Sequence, residues 1–379
     1  MSLPKNLYQL LEQRKTKGNF RELQQEHFKV DFLSNDYLGY AQNNCIHEQY
    51  LSILKEHKID QLGSTGSRLL SGNHGLFEIV EQKARAIFNA ESALFYNSGY
   101  NANIGLLSAV LKPKDVVFYD ELCHASIRDG LQMTNAKAYK FKHCDYRDLE
   151  HKIKTQVERL QPQNIFIVTE SVFSMDGDTS DISNLVEISE KYNVHLIIDE
   201  AHAVGVCGDH YKGLAQNTDH KIFARILTCG KSLGSHGAFI LGSEQLKSYL
   251  INFSKPFIYT TAASPHQVAS VLASLQYFEK ATKEKTELQI IISNFTEEIK
   301  KYKLESHFIP SQTAIQSFLI SGNTEAKQLA KTLQQQGFGI KAILHPTVPK
   351  DKERIRICLH SFNTKGEIIN LIKSLKQTV

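Results

Sequence analysis

The chain predicts an α/β protein, with a large domain built on a mixed, mostly parallel sheet and a smaller α+β domain. Three observations predict it. Short apolar runs alternate with helical stretches from residue 45 to 275. Two of those runs end in groups that carry chemistry, Asp199-Glu200-Ala201-His202 and Thr228-Cys229-Gly230-Lys231-Ser232. Beyond residue 275 the rhythm changes to a compact succession of helices and strands.

Residues 3–27 are mostly polar, with Leu7, Leu10 and Leu11 at helical spacing, and read as an N-terminal helix and arm. Val30–Leu33 reads as a short strand. The runs Ala93–Tyr96, Val116–Tyr119, Ile165–Val168, His195–Ile198, Ile226–Thr228 and Ala238–Leu241 read as buried strands of a sheet covered by helices. One helical pattern spans 265–302. After it come a strand at Ala314–Ile320, a helix at Glu325–Gln335, strands at Ile340–Leu344 and Arg354–Leu359, and a last helix at Lys365–Lys376. The expected domains are therefore 1–44, an N-terminal arm and part of the small domain; 45–275, the large domain; and 276–379, the small C-terminal domain.

With 379 residues, 41% of them hydrophobic, the chain can bury a large core. Its 44 basic and 40 acidic residues are too balanced for a nucleic-acid binder. The six cysteines, Cys45, Cys123, Cys144, Cys207, Cys229 and Cys358, contain no C-x-x-C pair, which argues against a metal site or a disulfide framework and for a reducing cytoplasm. No apolar run is long enough for a membrane span, and the N-terminus does not look like a signal peptide.

Asp-Glu-Ala-His is also the acidic box of many helicases, and Gly230-Lys231-Ser232 looks like the end of a phosphate loop. Spacing argues otherwise. Such a loop needs glycine where Arg225 stands, and it should precede the acidic box.

In an open α/β sheet, ligands bind beyond the carboxyl ends of the strands, where Glu170, Asp199, His202 and Lys231 all fall. A lone lysine is ordinarily solvated, but Lys231 follows a buried run between Gly230 and Gly234, a setting for a Schiff-base amine or a general base. A carboxylate at Asp199 needs a partner, either a protonated pyridine nitrogen or the N–H groups of the following turn. His202 either faces the same site or is a satisfied core histidine. Asn97-Ser98-Gly99-Tyr100 lies between a strand and a helix and offers N–H groups to a phosphate, although Ser-Gly also occurs in ordinary turns. Gly63–Arg68 and Ser71–Gly75 read as backbone that approaches a ligand or as a surface Ω-loop. His124 either stacks on a flat cofactor or is structural. Arg354 and Arg356 share one face of a strand, either to grip a carboxylate or to face solvent.

Ser34–Gly39, Gly66–Gly72, His124-Ala125-Ser126, Phe173–Asp178, Asp199–His202 and Thr228–Lys231 occur in order, and over nearly the whole chain they resemble the α-oxoamine synthase family of pyridoxal-phosphate enzymes. The resemblance implies fold-type I, the aspartate aminotransferase-like fold of PLP-dependent transferases, with pyridoxal 5'-phosphate as cofactor. It implies that Lys231 holds the cofactor, Asp199 pairs with the pyridine nitrogen, His124 stacks on the ring, and Ser174 and His202 hydrogen-bond the phenolic oxygen. These implied roles make Lys231, His124, Asp199 and His202 the catalytic set. Ser98, Gly99 and Tyr100 match the phosphate cup, with Thr228 beside it. Thr260 matches a residue that reaches the phosphate from the neighbouring subunit, which implies a homodimer with shared active sites. Arg356 matches the arginine that binds the amino-acid carboxylate, and Arg21, Asn35 and Thr347 resemble positions close to the substrates. The implied reaction is acyl transfer, the decarboxylative condensation of an amino acid with an acyl-CoA or acyl-ACP to give an amino ketone. Within the family, Ser67–Asn73 is most similar to members that join L-alanine to a pimeloyl thioester in biotin biosynthesis. Serine palmitoyltransferases, 2-amino-3-ketobutyrate ligases and, more distantly, aminotransferases are the alternatives. Leu344 and His345 stand where the family pattern has arginine and proline.

Overall fold

The computed structural model describes residues 3–23 and 27–378. They divide into two compact units, the larger made of Asn35–Ser174 and Thr179–Thr286, the smaller of the chain up to Ser34, Met175–Asp178 and the chain from Glu287 on. Among the described residues the strands are β1 (Val30–Asp31), β2 (Ser92–Tyr96), β3 (Val116–Asp120), β4 (Lys137–Phe141), β5 (Ile165–Glu170), β6 (His195–Asp199), β7 (Ala224–Thr228), β8 (Ala238–Gly242), β9 (Ile315–Leu319), β10 (Phe338–Gly339), β11 (Lys341–Ile343) and β12 (Arg354–Cys358).

The larger unit carries a seven-stranded sheet in the order β2-β8-β7-β6-β5-β3-β4. Strand β8 runs antiparallel to its neighbours β2 and β7, and the other pairs are parallel. Successive side chains feed opposite faces. Val117, Phe166, Val168 and Ile197 pack with Leu106 and Leu107 on one side. Phe118, Ile167, Leu196 and Ile198 pack with Leu149 and Leu185 on the other. Burial on both faces is why these strands read as unbroken apolar runs. Strand β4 lacks that signature and was not expected. It pairs with β3 at the sheet edge, and Lys137, Ala138 and Lys140 are exposed while Phe141 is buried.

The helical pattern over 265–302 is two helices, Pro265–Lys280 and Lys283–Lys301. Ala281 is extended, and Lys285 Nζ from the second helix donates to the Phe278 carbonyl of the first at 2.5 Å. A side chain thus satisfies a helix-end carbonyl, and no glycine or proline marks the break. In the smaller unit β11, β12 and β9 form an antiparallel sheet, and β1 pairs in parallel with β10. Its last helix, Lys365–Lys376, starts with a capping box of Thr364 and Glu367 and buries Ile368, Leu371, Ile372 and Leu375. The N-terminal helix is Lys5–Thr16, and residues 24–26 of the expected arm lie outside the described residues.

Arg225, the residue that argues against a phosphate loop, has a structural task. It and Glu200 are both fully buried, with Nε and Nη2 of Arg225 at 2.7 and 2.6 Å from Glu200 Oε2. Glu200 Oε1 accepts the Ala215 N–H at 2.9 Å, and Arg225 Nη2 also donates to the Lys212 carbonyl at 3.0 Å. Truncating one partner leaves the other as an unpaired buried charge. Arg225→Ala is therefore expected to lower unfolding stability by about 3–5 kcal/mol, read from denaturant midpoints.

Candidate active site

Strands β5, β6 and β7 are parallel neighbours, so their carboxyl ends share one edge of the sheet, with Glu170 paired in register to Asp199 and Asp199 to Ile226. Beyond β7 the chain turns back into β8. Cys229 N–H donates to the Gly237 carbonyl at 2.8 Å, Ser235 N–H to Cys229 at 2.9 Å and Gly234 N–H to Lys231 at 2.8 Å. Gly234 has a φ of +57°, and a Cβ there would lie 2.2 Å from the Ala41 nitrogen. Only glycine permits that approach. The loop holds Lys231 half-buried at the strand edge that also bears Asp199.

Asp199 is buried at 5% exposure, and both of its oxygens are engaged. Oδ1 accepts the Ala201 N–H at 2.9 Å, and Oδ2 accepts from Asn103 Nδ2 at 2.7 Å. Asn103 also donates to Ser126 Oγ at 3.1 Å, which lies 2.8 Å from His124 Nδ1. His124 caps the helix Ala125–Gln132 and is exposed as a residue. Desolvation nevertheless lowers its pKa; the Asp199 charge opposes this, and Lys231 and Arg128 add to it. Glu170 accepts the His124 backbone N–H. Burial, with the Asp199 charge adding and Lys231 opposing, pushes its carboxyl up to about 8. Lys231, Asp199, His124 and Glu170 are thus one electrostatic cluster.

His202, buried at 5% exposure, places Nδ1 2.7 Å from the Tyr37 hydroxyl, which donates to Asn35 Oδ1 at 3.1 Å. Ser174 is buried. Ser98 caps the helix Gly99–Val110, accepting the Asn101 N–H at 3.2 Å. A Cβ on Gly99 would lie 3.6 Å from Thr228 Oγ1, so this helix N-terminus meets the end of β7. Tyr100 is exposed, and its hydroxyl donates to Asp129. Thr260 is half-buried just after the short helix Lys255–Ile258. The glycine loops pack on the chain itself, since a Cβ on Gly72 would strike the Gly66 carbonyl at 2.1 Å and Ala262 N–H donates to that carbonyl at 2.9 Å.

The smaller unit holds Arg21, Thr347 and Arg356. Arg21 and Thr347 are exposed, and Arg356 is half-buried with Nη1 donating to Cys358 Sγ at 2.9 Å. Arg354 does not face solvent. It is buried and ion-paired with Asp176.

The sequence pattern of the family described as aminotransferase class I and II matches residues 28–375. The chain is 35% identical over 363 residues to the 8-amino-7-oxononanoate synthase of Emericella nidulans, covering 91% of this chain and 88% of that protein. The solved 8-amino-7-oxononanoate synthase from Francisella tularensis aligns at a TM-score of 0.75 and 26% identity, over 92% of this chain and 97% of that one. The chain belongs to the α-oxoamine synthases within the aminotransferase class I and II family. The fold is shared more widely, with a TM-score of 0.89 at 20% identity to a Sphingomonas wittichii serine palmitoyltransferase, over 100% of this chain and 98% of that one.

The cofactor of this α-oxoamine synthase is pyridoxal phosphate, and the residues present fit it. The Gly99 helix start and the Thr228 hydroxyl are donors suited to a phosphate, and Gly99 has no side chain to fill the space between them. A buried carboxylate, a half-buried amine and an exposed imidazole complete the set. Motif reading missed Asn103, Ser126 and Tyr37 as site residues. Ser126 and Tyr37 lie inside the family-like segments, but Asn103 sits mid-helix with nothing nearby to flag it.

Glu170 gives the site a pH signature. A carboxyl raised from 4.5 to about 8 keeps its proton in the folded chain where the unfolded chain has lost it. The stability it contributes is therefore full below its unfolded value and is lost as pH rises through its folded value. Between about pH 5 and pH 9 the melting temperature of Glu170→Gln, neutral throughout, is expected to fall less than that of the unaltered protein.

Proposed function

We propose that this α-oxoamine synthase condenses L-alanine with a pimeloyl thioester of coenzyme A or acyl carrier protein, releasing the thiol and carbon dioxide to give 8-amino-7-oxononanoate for biotin biosynthesis. The observation that carries the reading is the shared edge of β5, β6 and β7, where Glu170, Asp199 and Lys231 act on one another and on His124. The relationship to the Emericella nidulans synthase supports the substrate pair.

When bound, pyridoxal phosphate supplies an electron sink for negative charge at the amino-acid Cα. Lys231 Nζ would hold the cofactor's aldehyde carbon and would be the base that takes the amino-acid Cα proton and gives one back. The Asp199 carboxylate would keep a proton on the pyridine nitrogen, and His124 would lie on the ring. Ser174 and His202 hold the phenolic oxygen, His202 itself being anchored to Asn35 through Tyr37. Ser98, Gly99, Tyr100 and Thr228 take the phosphate. Arg356 takes the amino-acid carboxylate, and Arg21, Asn35 and Thr347 serve the substrates. Thr260 reaches the phosphate of the neighbouring subunit, making the enzyme a homodimer with shared active sites. Its cytoplasmic location is supported by six scattered cysteines without a C-x-x-C pair, and no helix among the described residues is long and apolar enough to cross a membrane.

Thiol release from pimeloyl-CoA is expected to require L-alanine and the cofactor and to fall about 1,000-fold or more in Lys231→Ala. Release with palmitoyl-CoA but not with pimeloyl-CoA or pimeloyl-ACP would overturn the acyl assignment. Sedimentation should give the mass of two chains. Thr260→Val should weaken cofactor binding about tenfold without changing that mass, as expected for one lost hydrogen bond to a charged group.

A further inference from the structure

We propose that Asn103 and Ser126 form a positioning relay that ties His124 to Asp199 and locks the imidazole in its uncharged, Nε2-protonated form. The proposal rests on the cofactor reading above and concerns two residues to which that reading gives no part.

The hydrogen-bond directions follow from the Asn103 amide and the Ser126 backbone N–H. Asn103 is buried inside the helix Gly99–Val110, with Nδ2 2.7 Å from Asp199 Oδ2 and 3.1 Å from Ser126 Oγ. Turning the amide over would set its oxygen against a carboxylate oxygen, so both Nδ2 hydrogens are committed, one to each partner. Its Oδ1 is left buried without a partner, an unfavourable arrangement that fits a residue kept for its two donors. Ser126 is fully buried, and its Oγ accepts from Asn103; because the Ser126 backbone N–H is aimed at His124 Nδ1 and makes that nitrogen an acceptor, the hydroxyl hydrogen is directed at it as well, 2.8 Å away. The Ser126 backbone N–H points to the same nitrogen at 3.2 Å. Two donors on one lone pair leave no place for a proton on Nδ1, so the ring carries its single hydrogen on Nε2.

The charged groups that act on His124 come from three elements. Asp199 ends β6, Lys231 follows β7, and Arg128 and Asp129 share the His124 helix, while the carboxyl of Glu170 at the end of β5 accepts the His124 backbone N–H. Asp199 and Asp129 favour a charged imidazole, while Lys231 and Arg128 oppose it. The relay tips that balance by occupying Nδ1. An imidazolium would compete with the protonated pyridine nitrogen for Asp199 and would repel the ring that carries it. A neutral imidazole does neither. Asn103 therefore serves both groups, since the same amide that donates to the Asp199 carboxylate also sets the hydrogen of Ser126.

The test uses the holoenzyme and reads the affinity for pyridoxal phosphate and its pH dependence. In the unaltered protein the dissociation constant should change little between about pH 6 and pH 8, because His124 stays neutral. In Ser126→Ala only the backbone N–H remains on Nδ1, so the His124 pKa should rise, and binding should weaken about tenfold at the lower pH and recover at the higher. Ser126→Thr, which restores the hydroxyl, should restore the flat profile. Asn103→Leu should show the same acid-side loss, and the Asn103→Leu/Ser126→Ala double variant should be no worse than Asn103→Leu alone, as links of one chain require. A flat affinity profile in Ser126→Ala, with at most a lowered melting temperature, would overturn the relay and leave Ser126 a packing residue. Failure of the unaltered protein to bind the cofactor would instead overturn the cofactor reading, and the relay with it.

Discussion

The structure around the site depends on satisfying one carboxylate where water scarcely reaches. Asp199 ends a strand buried on both faces, and a charge there survives only with donors aimed at it. The Ala201 N–H and the Asn103 amide supply them. The neighbouring carboxyl pays for this arrangement. Glu170 lies beside Asp199 in register, and burial, with the Asp199 charge adding to it, raises its carboxyl so that it keeps its proton. The edge thereby presents one negative charge, one amine and one neutral acid, an uneven pattern that a uniformly charged or uniformly polar edge could not offer.

The four residues from the last of β6 onward, Asp199 to His202, divide their work between two directions. Asp199 and His202 join the site network, while Glu200, between them in sequence, enters a fully buried pair with Arg225 from the adjacent strand. That pair braces the connection from β6 to β7, and with it the separation between the carboxylate and the lysine loop. A motif that looks like one functional signature is thus half chemistry and half internal bracing. This explains why arginine and not glycine stands at position 225, where a nucleotide-binding loop would need an open backbone.

Most of the large sheet was legible because its strands are covered on both sides and so appear as continuous apolar runs. The exceptions have physical causes. Strand β4 is an edge strand whose lysines look like loop composition, and the break at Ala281 is made by a lysine side chain that no local pattern announces. At the site, residues at strand ends could be picked out because topology sends ligands there. Asn103 could not, because its meaning comes from partners distant in the chain, Asp199 above all. The glycine-rich stretches were ambiguous for the opposite reason. Their lack of side chains is explained by one segment of the loop pressing on another, a requirement that looks in sequence the same as room for a ligand.

The antiparallel insertion of β8 between β2 and β7 has a consequence for how the site comes together during folding. Strands β7 and β8 are consecutive and joined by the loop that bears Lys231, so their pairing is a local hairpin, whereas β5, β6 and β7 meet only after long crossovers have closed. The lysine loop can therefore take shape from contacts between near neighbours in the chain. The acid that answers it must await the assembly of the whole sheet.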